Sequence, residues 1–337
     1  MAASYSPPFV ITSGILSAVA EIAAEVGRLG GMPGNGIAPK LRRQNRIRSI
    51  HASLAIENNT LTLDQVTAVV AGRRVLGPPG EILEVRNAFA AYEEMHEWSP
   101  HSVKDLLSAH RMLLGGLAGD AGKFRTRSVG IAQGKQIVHL APPSEGVPGL
   151  IKDLIGWLKR TDTHPLVASC VFHYELEFIH PFVDGNGRMG RLWQTLILSR
   201  WNTLFAYLPV ETVIRDRQDA YYRVLALCDK AGNSTAFIEF LLDALLTALL
   251  EISSTDQVTD QVTDQVRSLL SAIGGDTLSA VKCMERLGLS HRPTFRMNYL
   301  APALSGGWIE YAIPSKPRSR LQKYRLTEKG SALPRRS

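Results

Sequence analysis

Apolar residues recur at helical spacing through most of the first 250 positions of the chain. LRRQNRIRSIHASLAIENN places Ile47, Ile50 and Leu54 on one stripe and ends in an Asn pair suited to a helix terminus. TLDQVTAVVAG opens with Thr62 and Gln65 at capping-box spacing. GPPGEILEVRNAFAAYEEMHEW and HSVKDLLSAHRMLLGGL read as two more helices, one behind a Pro/Gly start and one behind Ser. GKFRTRSVGIAQGKQIVHLAPPSEGV breaks the pattern. β-Branched residues flank Gln133-Gly134-Lys135 and Pro142-Pro143 follow, which predicts a small hairpin and then a turn. Helices resume at Val147 and run to about Ile252.

TDQV stands three times in succession over residues 255–266. A four-residue step advances ~400° around a helix, so the valines form one slowly drifting stripe. A linker helix and a stripe that dimerises two copies are both open readings. After it, VRSLLSAI, LSAVKCMERLGLS and RPTFRMNYLAPALSGG are helix-like, and WIEYAIPSKPRSRLQKYRLTEKG alternates as two strands around a basic, Pro-broken loop. Three helices and a hairpin are the layout of a winged helix-turn-helix. The expected fold is therefore mainly α, a helical bundle with a small β-hairpin and a C-terminal winged helix. Its expected segments are an N-terminal helical part (1–100), a core (101–254), a linker helix (255–267) and the winged-helix domain (268–337).

Composition narrows the class without naming a function. The 337 residues are 45% hydrophobic and 20% charged, as in ordinary soluble globular proteins. Cys170, Cys228 and Cys283 are far apart and form no ligand spacing, which argues against a disulfide framework or structural zinc. No basic region followed by an apolar run opens the chain, so no signal peptide is expected. AFIEFLLDALLTALLEI is short and carries Glu239, Asp243 and Glu251, so it predicts a buried helix and no membrane partner. Cytoplasmic residence follows as the default. The net charge of +7 is uneven: residues 276–337 hold 12 Lys/Arg against 4 Asp/Glu, and the rest is nearly neutral.

Chemistry concentrates in residues 180–191, HPFVDGNGRMGR. Gly185-x-Gly187-x-x-Gly190 matches the dinucleotide fingerprint, which requires a buried strand just before it. VFHYELEFIHPF does alternate through Phe172, Tyr174, Leu176 and Phe178, but a central parallel strand would bury His173, Glu175 and Glu177 against helices. The same stretch fits a helix with Val167, Val171, Tyr174 and Phe178 on one face, and no strand–helix alternation surrounds it. On the helix reading, Pro181 ends the helix at His180. Gly185-Asn186-Gly187 lets backbone approach a ligand, and the N–H groups of a helix starting near Gly187 cradle an anion. Arg188 and Arg191, three apart, should project on nearly the same side of that helix and suit a polyphosphate, and Asp184 suits a Mg²⁺ shared with phosphate oxygens. His180 can take a proton from a hydroxyl at neutral pH. The parts add up to transfer of a phosphate-containing group from a Mg²⁺-nucleotide to a hydroxyl.

This segment resembles, at every specified position, the signature HPFx(D/E)GNGRxxR of the Fic (filamentation induced by cAMP) family, and residues of about 10–250 resemble a Fic domain with an N-terminal helical extension. The resemblance implies transfer of AMP from ATP to a Tyr, Ser or Thr hydroxyl of a protein or of the chain itself. It implies His180 as base, Phe182 as loop anchor, Asp184 as Mg²⁺ ligand, Gly185, Asn186 and Gly187 as anion hole, and Arg188 and Arg191 on the phosphates. Doc-type kinases lack the full pattern, which favours AMP transfer; other members of the family transfer UMP or phosphocholine, and the motif does not exclude those reactions. It also implies that the hairpin, at Ile137, Val138 and His139, takes the target backbone as an added strand. Tyr221 and Tyr222 are candidates near the adenine. Upstream, SLAIEN at 53–58 resembles the family's inhibitory motif (S/T)xxxE(G/N). Ser53 and Glu57 would then set a carboxylate against Arg191, which should grip the γ-phosphate; some braked relatives use this glutamate to remove AMP. The basic end resembles winged-helix modules fused to such domains, with Arg292, Arg296, Lys316, Arg318, Arg320 and Lys323 as contacts for DNA, or a surface for another protein. The rival class is a DNA-binding regulator that senses nucleotide without turnover.

Overall fold

The structure is a computed structural model that describes residues 5–30, 39–128, 130–133, 136–259, 264–314, 319 and 322–331. The chain divides into two compact units between Ile252 and Ser253. In the first, α1 (Ser13–Gly30), α2 (Pro39–Ile56), α3 (Leu63–Val70), α4 (Pro79–Glu94) and α5 (Val103–Leu114) precede the hairpin strands β1 (Gly130–Gln133) and β2 (Gln136–Leu140). Then come α6 (Val147–Arg160), α7 (Pro165–Ile179), α8 (Asn186–Trp201), α9 (Val210–Asp216), α10 (Gln218–Ala231) and α11 (Thr235–Thr259), whose last turns run past the division. One hydrophobic core runs from Ile15 to Ile252 and draws on residues either side of position 100, where the sequence suggested a boundary.

The centre of that core is the α7–α8 pair, and its sequence explains the ambiguity of the VFHYELEF stretch. From Leu166 to Leu176 every residue of α7 is buried, as are Arg188–Leu198 of α8. A helix buried all round shows no single apolar face, so its periodicity is blurred. The polar groups inside are matched: Ser169 donates to Leu166 O, and Tyr5 of the N-terminal segment donates to Glu175 Oε2 at 2.7 Å. Burial raises the pKa of Glu175. Local signals hold at the helix ends. Thr62 and Gln65 form both halves of the capping box on α3, and Ser102 Oγ caps α5 through Asp105 N. Among the described residues no helix is long and apolar enough to cross a membrane.

The second unit has its own core, built by Val266, Leu269 and Ile273 of α12 (Asp264–Ile273) with Cys283, Phe295, Trp308 and Tyr324. Val266 thus packs in this unit, although the sequence placed it within the linker. β3 (Leu278–Ser279) leads into α13 (Ala280–Arg286). An interrupted helix follows, made of α14 (Arg292–Phe295), a π turn over Arg296–Leu300 and α15 (Ala301–Ser305). Pro302 offers no N–H and crowds the preceding turn, which accounts for the wider turn before it. β4 (Ile309–Tyr311) and β5 (Lys323–Leu326) pair antiparallel, β3 joins the other edge of β5, and α16 (Glu328–Ser331) closes the described part. This is the winged-helix layout. Arg292 and Arg296 are exposed, while Lys316, Arg318, Arg320 and residues 260–263 of the TDQV stretch lie outside the described residues.

Candidate active site

The loop between α7 and α8 is fixed by its own backbone chemistry. His180 ends α7 in the left-handed region, φ 51° and ψ 59°, and Pro181 prevents the helix from continuing. The His180 Nδ1 lies 3.3 Å from Glu177 O. A carbonyl accepts only, so Nδ1 carries the proton of the neutral ring and Nε2 is its basic nitrogen. Asn186 closes the loop with its side chain, accepting from Phe182 N and donating to Phe182 O, both at 2.9 Å. Its contribution to an anion site is therefore its main-chain N–H. Gly185 turns at φ 83°, where a Cβ would be 2.6 Å from Leu114 Cδ2.

Phe182 is fully buried and stacks on His110 of α5, with centroids 3.7 Å apart and planes 5° apart. Gly122 N donates to His110 Nδ1 at 2.8 Å, so the ring hydrogen is on Nε2 and is donated to Asp184 O at 2.9 Å. Burial lowers the His110 pKa and keeps the ring in this neutral form. A lone histidine on an amphipathic helix gives no sign of such work in the sequence.

At the start of α8 the first-turn N–H groups of Asn186, Gly187 and Arg188 have no intrahelical acceptors. A carboxylate lies against this turn at Gly187. Glu57, just past the end of α2, places Oε1 2.7 Å from Arg191 Nη2, and a Cβ on Gly187 would collide with that same oxygen. Arg191 also donates from Nε to Ser53 Oγ at 2.9 Å and from Nη2 to Ser53 O at 3.0 Å. Burial alone would lower the pKa of this guanidinium, but Glu57 beside it, together with Tyr221 and Glu177, more than offsets that and raises it. The α2 terminus is shaped by Asn58, left-handed at φ 70°, and its Ile56 carbonyl accepts from Gln218 Nε2.

Arg188 does not share Arg191's direction. Its guanidinium bonds Asp184 Oδ1 at 2.9 Å and Glu84 Oε1 at 3.2 Å, and Glu84 in turn accepts from Asn59 Nδ2. Glu84, on α4, carried no signal in the sequence. Asp184 Oδ1 also accepts from Gly185 N at 2.6 Å, and its carboxylate is more than half exposed. Among the described residues no cluster of three His, Cys, Asp or Glu could keep a metal resident. A single exposed carboxylate fits instead a Mg²⁺ that arrives with phosphate oxygens.

Beneath the site, His173 Nδ1 donates to Gln194 Oε1 at 2.8 Å and Nε2 accepts from the Tyr221 hydroxyl at 3.1 Å. Burial lowers the His173 pKa to about 3. Gly190 permits the contact, since a Cβ there would sit 2.6 Å from His173 Cδ2. Tyr221, 1% exposed and committed to His173, is therefore a core residue and not an adenine contact; Tyr222 remains at the surface. The hairpin forms over the expected residues, with Ile131 opposite His139 and Ala132 opposite Ile137, so Val138 is the unopposed residue of a bulge.

Comparison with known proteins supplies the family. The profile of the Fic/DOC family matches residues 100–198, and that of the Filamentation induced by cAMP protein Fic-like, C-terminal domain, matches residues 264–327. Protein adenylyltransferase Fic of Drosophila melanogaster is 27% identical over 221 residues, 62% of this chain and 42% of that protein. Protein adenylyltransferase fic-1 of Caenorhabditis elegans is 30% identical over 187 residues, 51% of this chain and 35% of its own. The chain thus spans less than half the length of these curated relatives. A solved Fic-1 structure from Caenorhabditis elegans shares the fold at a TM-score of 0.61 and 23% identity, covering 73% of each chain. A crystal structure of a Fic family protein from Desulfovibrio desulfuricans is 60% identical, covers 97% of this chain and 99% of its own, and superposes with a TM-score of 0.74. With the motif, the α7–α8 loop and near full-length similarity in agreement, the chain belongs to the Fic family.

Proposed function

We propose that the protein transfers AMP from ATP to a hydroxyl side chain of a protein, and that Glu57 restrains the reaction by occupying Arg191. The observation that carries this reading is the Glu57 carboxylate lying on Arg191 and the first turn of α8, one loop away from His180. A site that already holds a carboxylate is one built for anions. Its neighbouring ring has a basic nitrogen at Nε2.

In the reaction, His180 Nε2 takes the proton of the target hydroxyl as its oxygen bonds the α-phosphorus. The bond from that phosphorus to the bridging oxygen breaks and pyrophosphate leaves with the electron pair. Asn186, Gly187 and Arg188 N–H groups and Arg191 stabilise the charge that builds on the phosphates. A Mg²⁺ shared by Asp184 and the phosphate oxygens would neutralise part of that charge. The hairpin edge receives the target backbone as an added strand, through Ile137, Val138 and His139. With Glu57 on Arg191, the γ-phosphate loses its partner and ATP lies in a pose unsuited to attack.

The test is transfer from α-labelled ATP by Glu57→Gly and by Glu57→Gly/His180→Ala, with mass spectrometry of any labelled protein. The expected result is label in the first, none in the second, and a mass gain of one AMP. Absence of transfer with ATP bound would refute it and turn attention to UMP or phosphocholine donors and to AMP removal by Glu57. A second reading, docking on DNA through exposed Arg292, Arg296 and Lys323, is favoured by the first two standing one helical turn apart. It requires affinity that falls steeply with salt.

A further inference from the structure

Arg125 is 3% exposed, and four main-chain carbonyls take its N–H groups. Nε donates to His180 O at 2.7 Å, Nη1 to Arg127 O at 3.0 Å, and Nη2 to Pro142 O at 2.5 Å and Ile179 O at 3.3 Å. Its own main-chain N–H donates to Pro181 O at 2.9 Å. Three consecutive carbonyls, 179 to 181, therefore end on one residue. These include the acceptors that a helix terminus leaves without partners.

The other two acceptors stand at the two stems of the hairpin. Arg127 precedes β1 by three residues and Pro142 follows β2 by two. One planar guanidinium thus joins both stems to the main chain of His180. That residue is held in a left-handed conformation which non-glycine residues adopt only where the surroundings over-determine it. A lysine could not replace the fork, because a single ammonium on a flexible stem cannot span acceptors in this fixed planar arrangement.

We propose that Arg125 is a positioning residue that sets His180 relative to the hairpin stems, so that the proton acceptor and the target-docking strand keep one spacing. Arg125 would touch neither ATP nor the target. The inference rests on the reading of His180 as the base and of the hairpin as the docking edge.

The test uses the full chain in the Glu57→Gly background. Arg125→Lys should lower kcat about 100-fold, the loss that misplacement of ~1 Å produces, while KM for ATP changes less than about threefold. Methylguanidinium added to Arg125→Ala should restore at least about tenfold of the lost rate and nothing to His180→Ala. Hydrogen exchange should quicken at amides 179–185 and near 141, with α8 unchanged. Unchanged kcat, or equal movement of kcat and KM without rescue, would overturn the proposal. If Glu57→Gly itself shows no transfer, the transfer reading fails on its own. The positioning role is then decided by the exchange pattern, and uniform quickening across α7 and α8 would refute it.

Discussion

The Arg191–Glu57 pair offers one interaction energy that can be read out twice. Arg191 is 1% exposed and Glu57 26%, so the bond is charge-assisted and only partly screened. Charge-assisted bonds contribute ~1.5–3 kcal/mol, and the exposure of Glu57 favours the lower end, ~1.5–2 kcal/mol. If the carboxylate competes with the γ-phosphate for Arg191, Glu57→Gly should raise kcat/KM for ATP by about 10- to 30-fold. Glu57→Gln keeps a neutral hydrogen bond and loses the charge, so its rise should be smaller, about 2- to 5-fold. The same removal leaves a buried guanidinium supported by Ser53 alone on that side, so stability should fall by ~1.5–2 kcal/mol.

The assays are initial rates of AMP transfer at sub-saturating ATP and urea unfolding without nucleotide. ATP should restore more stability to Glu57→Gly than to the unchanged protein, because only there is Arg191 available to it. Equal rates for Gly and Gln would show that the charge is irrelevant. A rate gain without a stability loss would show that Glu57 acts somewhere other than on Arg191. Either result sinks the competition argument.

Two further predictions concern the helices beneath the site. His173 is buried neutral, with its pKa lowered to about 3, and His110 shifts in the same direction; unfolded histidines titrate near ~6.5. The unfolded state therefore takes up protons first, and stability present above pH ~6.5 is lost as pH falls toward about 3, by up to ~1.4 kcal/mol per pH unit for each ring that stays neutral. Urea unfolding at pH 7, 6 and 5 measures this, and a flat profile would contradict it. Gly190→Ala should cost ~1–3 kcal/mol, since His173 is held by Gln194 and Tyr221 and cannot yield to a new Cβ. A thermal melt unchanged from the parent would show that α7 and α8 can separate.

Local grammar was readable in the sequence wherever neighbours along the chain supply both partners. The capping box on α3, the Ser102 cap, the end of α7 at His180 and the hairpin are of this kind. Ser53 and Glu57 were found because they stand in a spaced motif, and they do meet Arg191 more than 130 positions away. What could not be read were groups whose partners are distant or are main chain. His110 works through an Asp184 carbonyl, Arg125 through four carbonyls, and Glu84 through an arginine on another helix. The alternation in α7 looked strand-like because a helix surrounded by other helices needs no polar face. Likewise, two arginines three apart promised a shared direction, but the carboxylates of Glu84 and Asp184 draw one of them away.

The short loop between α7 and α8 also sits between two opposed electric fields. The carboxyl end of α7 carries partial negative charge and the amino end of α8 partial positive charge, each equivalent to roughly half an elementary charge. His180 lies at the first pole and Gly185–Gly187 at the second. On the proposed reaction, a ring that becomes cationic and phosphates that stay anionic would thus each be favoured by ~0.3–1 kcal/mol where they would sit. Four residues, 181–184, separate the poles, so the two helix ends themselves sort the two charges to opposite sides of one turn.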